Sequence, residues 1–214
     1  MVTSLTEGLH AGEHIVYEVP DLARDNVTIT GGADLGPATV LGQITIGTES
    51  SAAGTNTGNG VLGAVTLAAG ALPGAYKLKI TKAAANAGDF EVIDPNNEVC
   101  GVGTVGVAFV GGGLSFTLAD GASDFVVGDT FTLTVGAGSG KLVQLAPSAA
   151  DGSQIAAGVL WGHAKASAGD VASTVNVRLT AVNGPLLVWP GGISGPQKAA
   201  AIAQLAARNI ILRS

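Results

Sequence analysis

Residues 10–14 read HAGEH. His10, Glu13 and His14 match H-x-x-E-H, the inverted zinc-protease signature, in which two histidines hold the metal and the glutamate acts as base. That chemistry needs a helix, because only a helical turn brings residues four apart onto one face. Here Gly8 precedes, Gly12 sits in the middle, and the β-branched run IVYEV follows at once. The context reads as a turn entering a strand. The third histidine, His163, has no motif around it. A solvated polar turn without metal is expected.

Two further matches fail on context. GVGTVG (101–106) fits G-x-G-x-x-G, but that dinucleotide fingerprint works only where a strand gives way to a helix whose N-terminus meets the pyrophosphate. The continuation VAFVGGG is strand-like. Asp94, Asn96 and Glu98 resemble the start of a calcium loop, yet its sixth position is Val99 rather than glycine, and no glutamate stands at the twelfth. A polar hairpin turn is expected there. No G-x-S-x-G, Ser-His-Asp set or carboxylate pair stands out. The sequence therefore predicts no catalytic, metal-binding or cofactor-binding residues and no enzyme.

The elements that could position other functions are β-rich. Among 214 residues there are 33 glycines, and only 12% are charged, while mean hydropathy is +0.44. The apolar residues are spread out. No window approaches the roughly 18 that a membrane helix needs, and MVTSLTEGLH lacks the basic start and apolar run of a leader. Neither membrane insertion nor secretion is expected. Cys100, within VCGV, reads as a small buried hydrophobe in a protein made in a reducing cytoplasm. Net charge of −6 argues against a nucleic-acid partner. Residues 1–55 carry a net −6 and residues 139–214 a net +4, as expected if the two ends pack together or meet across copies.

The middle differs in texture. It opens with SSAAGTNTGNG (50–60) and closes with GAGSGK (136–141), both small and polar and expected to be flexible. Between them run YKLKIT, DFEVID, VGVAFV, LSFTLAD and TFTLTV, with turns at Asp94–Asn97 and Gly111–Gly113. Alternating runs at such spacing predict an antiparallel sandwich or barrel. Residues 55–138 are read as a β domain inserted into a discontinuous base domain, residues 23–54 and 139–214. Residues 1–22 precede it as an arm. The fold class is mainly β (α+β), with one C-terminal helix. Ser194 and Gln197 form a capping box for a helix through AAAIAQLAAR, and Asn209 can take the left-handed stop. Ile202, Leu205 and Ala206 are expected to form its apolar stripe. Trp189, held extended before Pro190, is expected in the base core or at an oligomer contact, together with Pro190, Ile202 and Leu205.

GSGKLVQLAPSAADGSQIAAGVLWGHA, then LVWP, then an alanine-rich helix ending in RNIILR resembles the head decoration proteins of tailed bacteriophages, the lambda protein D family. The shared order is a KLV strand (Lys141–Val143), a turn, a strand in Asp151–Leu160, the Leu187–Pro190 run, the Gln197–Arg208 helix and a short last strand at Ile210–Leu212. RDNVTITGGADLGPATVLGQIT (24–45) resembles the entry segment of longer members, whereas the small lambda-type protein has no counterpart to residues 55–138. The resemblance implies a cement protein on the outside of the expanded capsid, without cofactor. It would act as a homotrimer that clamps the major capsid protein against internal DNA pressure. Its N-terminal arm would add a strand to capsid protein. The candidates are Ile15, Val16, Tyr17, Glu18 and Val19, with Ile15, Tyr17 and Val19 on one face. The alternative is a virion-displayed carbohydrate- or host-binding β module. Against it, Tyr76, Phe90, Phe109, Phe116, Phe125 and Phe131 are few, and several occupy alternating strand positions that belong in a core.

Overall fold

The computed structural model describes residues 7–214, which divide into two compact units, one ending at Ile44 and resuming at Gly140, the other Thr45–Ser139. The first six residues of the expected arm lie outside the described residues. The chain is mainly β, with one α-helix near the C-terminus.

The discontinuous unit is built on a closed five-stranded barrel. Its strands run Leu142–Gln144, Arg24–Ile29, Val171–Asn176, Ala156–Leu160 and Val40–Gln43 around the ring. Ala156–Leu160 is buried at every residue, which explains its unbroken apolar sequence. Val40–Gln43 pairs antiparallel with it, and the turn before Ala156–Leu160 comes so close that a Cβ on Gly42 would fall 2.0 Å from the Ser153 carbonyl oxygen. Only glycine permits that approach. A three-stranded sheet stands beside the barrel: Ile15–Glu18 pairs antiparallel with Thr180–Asn183, which pairs parallel with Ile210–Arg213.

The helix spans Gly195–Ala207, with the capping box formed by Ser194 and Gln197 and with Asn209 left-handed at φ 59°. Its stripe differs from expectation. Ala201 and Leu205 are the buried pair, Ile202 is half-buried and Ala206 is exposed. Gln204 joins the inner face, its side-chain carbonyl accepting the Ala156 amide at 2.7 Å. An alanine at the contact lets the helix lie close to the barrel, and a glutamine is tolerated there because its amide is used. Trp189 and Pro190 are half-buried. Trp189 packs against the cluster that holds Val40, Val159, Leu187 and Leu205.

Thr45–Ser139 is an antiparallel sandwich. A five-stranded sheet has the order Val99–Thr104, Ala87–Ile93, Gly74–Ala84, Thr130–Ala137, Ile46–Ala53. The facing sheet comprises Ala108–Gly111, Leu114–Ala119 and Val61–Leu62, with Thr66–Leu67 also on Leu114–Ala119. The alternation resolves as the pattern requires: Tyr76, Leu78 and Ile80 are buried, as are Phe131, Leu133 and Val135. Phe109 and Phe116 meet with ring centroids 5.0 Å apart.

The entry to this unit falls ten residues earlier than the composition suggested. Ile46–Ala53 is an edge strand hydrogen-bonded to Thr130–Ala137, so residues 45–54 belong with the sandwich and not with the base. GTNTGNG is an ordered loop. Asn56 exchanges two hydrogen bonds with the Thr130 backbone, 2.9 and 2.8 Å, and Asn59 accepts the Ser123 amide at 2.9 Å. Its glycines serve contact: a Cβ on Gly58 or Gly60 would fall 2.5 or 2.4 Å from the Phe125 ring.

Candidate docking surface

Ile15–Glu18 is the outermost strand of the three-stranded sheet. The residues expected to dock therefore already have a partner within the chain, the Thr180–Asn183 strand, and are not an unpaired arm. The outer edge of Ile15–Glu18 is paired to no strand among the described residues. A bulge between Ile15 and Tyr17 breaks the alternation. As a result Val16 and Tyr17 are both exposed, at 58% and 66%, instead of lying on opposite faces. Ile15, Glu18 and Val19 are half-buried. In register across the sheet, Tyr17 stands opposite Ala181 and Ala181 opposite Ile211. Ile211 is exposed at 40%. A shallow groove of about 250 Å³ follows this row, lined by Tyr17, Val19, Leu179, Ala181, Ile211 and Arg213.

The strand is held by polar groups. Glu18 forms an ion pair with Arg24 and accepts the Asn176 amide at 2.9 Å. The Arg24 guanidinium lies over the Trp161 ring, 4.7 Å from its centroid. The turn before the strand sits against the same ring: Gly12 donates to the Trp161 carbonyl at 2.9 Å, and a Cβ there would fall 2.9 Å from Nε1.

The HAGEH motif comes apart in three dimensions. His10 is exposed and its backbone amide is capped by Glu13, while His14 is completely buried. The expectation of a solvated turn is thus wrong for His14. Neither ring nitrogen of His14 has a hydrogen-bond partner among the described residues, and Asn176 Oδ1 lacks one too. Burial pushes the His14 imidazole below its ordinary value. The Asn176 side chain and Glu18 oppose that shift, and Arg24 adds to it. His163 is exposed, and no group of three or more metal-ligating side chains occurs among the described residues. Asp94 Oδ1 accepts the amides of Asn96 and Glu98 at 2.8 and 2.9 Å, which uses that carboxylate to close the hairpin. GVGTVG lies in the Val99–Thr104 strand and the turn after it.

The opposite charges at the two ends of the sequence do meet: Arg178 grips Asp25 through both guanidinium nitrogens at 2.9 Å. Leu205 belongs to the core cluster under the helix and Trp189 packs against it, while none of Trp189, Pro190, Ile202 and Leu205 lines the groove. The anchoring pair of Trp161 and Asn176, which receives the Gly12 turn and Glu18, was not singled out from the sequence. Its one signal is Asn176 within VNV, a polar residue interrupting an apolar strand.

The barrel thus carries a small side sheet on which the Ile15–Glu18 edge strand bears exposed apolar residues with a groove beside them. No helix among the described residues is long and apolar enough to cross a membrane. The chain belongs to the family of bacteriophage lambda head decoration protein D, whose family model matches residues 4–210. It is a phage head decoration protein, a structural component of the virion capsid. No protein of curated function matches it. Among solved structures it is similar to FlgL of Xanthomonas campestris in two crystal forms. Each shows 24% identity, coverage of 47% of this chain and 33% of that one, and a TM-score of 0.34. This chain thus spans about a third of the length of those structures, and a TM-score at that level carries no argument.

Proposed function

We propose that this protein binds the outer surface of the expanded phage head as a homotrimer. There it stabilises the shell against internal DNA pressure by contacting the major capsid protein through the Ile15–Glu18 edge. The observation that carries this reading is the open edge itself. A strand with unpaired backbone groups is a template for another strand, and here it presents Val16 and Tyr17 to solvent at 58% and 66% exposure. Tyr17 also lines the groove beside the edge, and adjoining exposed apolar residues at a groove are the kind of surface that marks an interaction site. The sandwich unit is a passenger in this reading, since its aromatics are spent on its own core: Tyr76, Phe90, Phe109, Phe116, Phe125 and Phe131 are all buried.

The test is binding to expanded, undecorated capsids. The double variant Val16→Glu, Tyr17→Ala should keep the wild-type melting temperature within a few degrees, because both side chains are largely exposed. It should bind capsids at least roughly tenfold more weakly, the loss of about 1.4 kcal/mol expected when modest apolar burial is removed. Undiminished binding would move the capsid contact away from this edge.

A further inference from the structure

The N-terminal strand is fastened by unusual means. Val16 and Tyr17 are exposed and Ile15 only half-buried, so apolar burial contributes little to holding residues 10–18 in place. The fastening is the antiparallel pairing of Ile15–Glu18 with Thr180–Asn183 and a few further backbone bonds, namely Gly12 N–H to Trp161 O at 2.9 Å, Asn183 N–H to His14 O at 2.7 Å and Val19 N–H to Leu179 O at 3.1 Å, together with the Glu18 pair and one wholly buried side chain, the His14 imidazole. Segments with few buried contacts open locally at low free-energy cost. Just beyond the strand, Asp21 takes the left-handed conformation at φ 62°.

We propose that His14 is a pH-responsive latch: neutral, it keeps the N-terminal strand on the barrel, and its protonation releases residues 10–18 while the barrel stays folded. That this strand is the capsid-docking edge rests on the reading above; the latch itself does not depend on it.

The groups around His14 set the sign. Glu18, on the same strand, favours the charged imidazole, and Arg24, from the neighbouring barrel strand, opposes it. The Val171–Asn176 strand offers Asn176, which is uncharged, and the Thr180–Asn183 strand places Thr180 behind it, within 3.3 Å of the Asn176 amide. Burial is the largest effect on the imidazole and disfavours the cation, outweighing the Asn176 side chain and Glu18, which favour it. Once released, the ring is solvated and takes up a proton near its ordinary value of about 6.5. The closed form binds fewer protons than the open form, so closure is favoured above that pH and weakens as pH falls. Between pH 7.5 and 5.5 the opening equilibrium of this segment should rise about tenfold, since one proton is taken up across most of that interval.

Hydrogen exchange on the free, full-length protein reads this directly, with rates corrected for intrinsic exchange at each pH. Amides of residues 12–18 should open about tenfold more at pH 5.5 than at 7.5, while those of Ala156–Leu160 keep their protection. His14→Phe, a ring without a titratable nitrogen, should hold the segment closed at both values. Glu18→Gln should retain the pH response. The latch is overturned by equal opening at the two pH values in the wild type, or by a response that survives in His14→Phe. Because no capsid enters the measurement, that failure would leave the docking edge standing. Failure of the Val16→Glu, Tyr17→Ala capsid test would likewise leave the latch intact.

Discussion

Asp129→Asn should be the most damaging single-atom change in the sandwich unit. Asp129 is 4% exposed and has no cationic partner; what surrounds its carboxylate is backbone. Oδ1 accepts the Thr57 amide at 2.9 Å, and Oδ2 accepts those of Gly58 at 2.9 Å and Val126 at 3.1 Å. Burial alone would raise the Asp129 carboxyl, but these three N–H groups together hold it below the usual carboxylate range. The residue thereby pins the GTNTGNG loop to the start of the Thr130–Ala137 strand. An asparagine can satisfy the donors at one oxygen position only. Its NH₂ must face either Thr57 or the Gly58 and Val126 pair, and at least one backbone N–H is left facing a donor. A hydrogen bond to an ionised acceptor is worth roughly 1.5–3 kcal/mol, and an orphaned buried donor costs its desolvation as well. A loss of about 3 kcal/mol follows. For a domain of roughly 60–100 residues this lowers Tm by about 12–24 °C.

The assay is thermal denaturation by circular dichroism, combined with exchange of the Thr57, Gly58 and Val126 amides. Those three amides should lose protection ahead of the rest of the sandwich. The variant should also lose part of the acid sensitivity. A depressed native carboxyl contributes stability that is complete above about pH 4 and drains away as pH falls through the native value. Removing it flattens that fall. A Tm within about 2 °C of wild type, with unchanged amide protection, would show that the loop is held by something else and would refute the reasoning.

Leu205→Ala, at a completely buried helix position, should cost ~2–5 kcal/mol, and Ile202→Ala, half-buried, distinctly less; urea denaturation would rank them, and the reverse order would restore the stripe expected from sequence. Deleting Thr45–Ser139 and joining Ile44 to Gly140 through a short Gly/Ser linker should leave a folded barrel unit. The two ends are already hydrogen-bonded, Gly140 N–H to Ile44 O at 2.9 Å, and the flanking strands Val40–Gln43 and Leu142–Gln144 pair antiparallel. The sandwich occupies the place of a hairpin turn. An unfolded product by circular dichroism would make the sandwich part of the folding nucleus of the base.

What was legible follows from how locally each element is specified. YKLKI and TFTLTV declare both state and inner face, because a strand that buries one side must alternate. The capping box declares a helix start because its donor and acceptor lie three residues apart. Ile46–Ala53 carries no such mark: beyond Ile46 every residue of IGTESSAA is half-buried or exposed. It is extended because the Thr130–Ala137 strand supplies its hydrogen bonds, a partner some eighty residues distant that no local pattern reveals. The helix stripe failed for a different reason. With alanines on nearly every side, apolar contrast cannot choose between Ala201 and Ala206, and the choice is made by how closely the barrel lets the backbone approach.

The N-terminal strand was the hardest to read, and the reason bears on function. HAGEH looks like a solvated turn because the groups that bury His14 and receive Glu18, Trp161 and Asn176, stand about 150 residues further along the chain. Locally the segment resembles an arm awaiting a partner. An arm of that kind would have to be ordered on the capsid, at about 1–2 kcal/mol of backbone entropy per residue. For Ile15–Glu18 that ordering is accomplished in folding, through the pairing with Thr180–Asn183. What docking then requires is desolvation of one edge and burial of Val16 and Tyr17, so the same contacts yield tighter binding from a rigid strand than from a flexible one. The polar anchor is therefore coupled to affinity. Loosening it, by His14 protonation or by removing the Glu18–Arg24 pair, should weaken capsid binding even though none of those three side chains lies in the exposed groove.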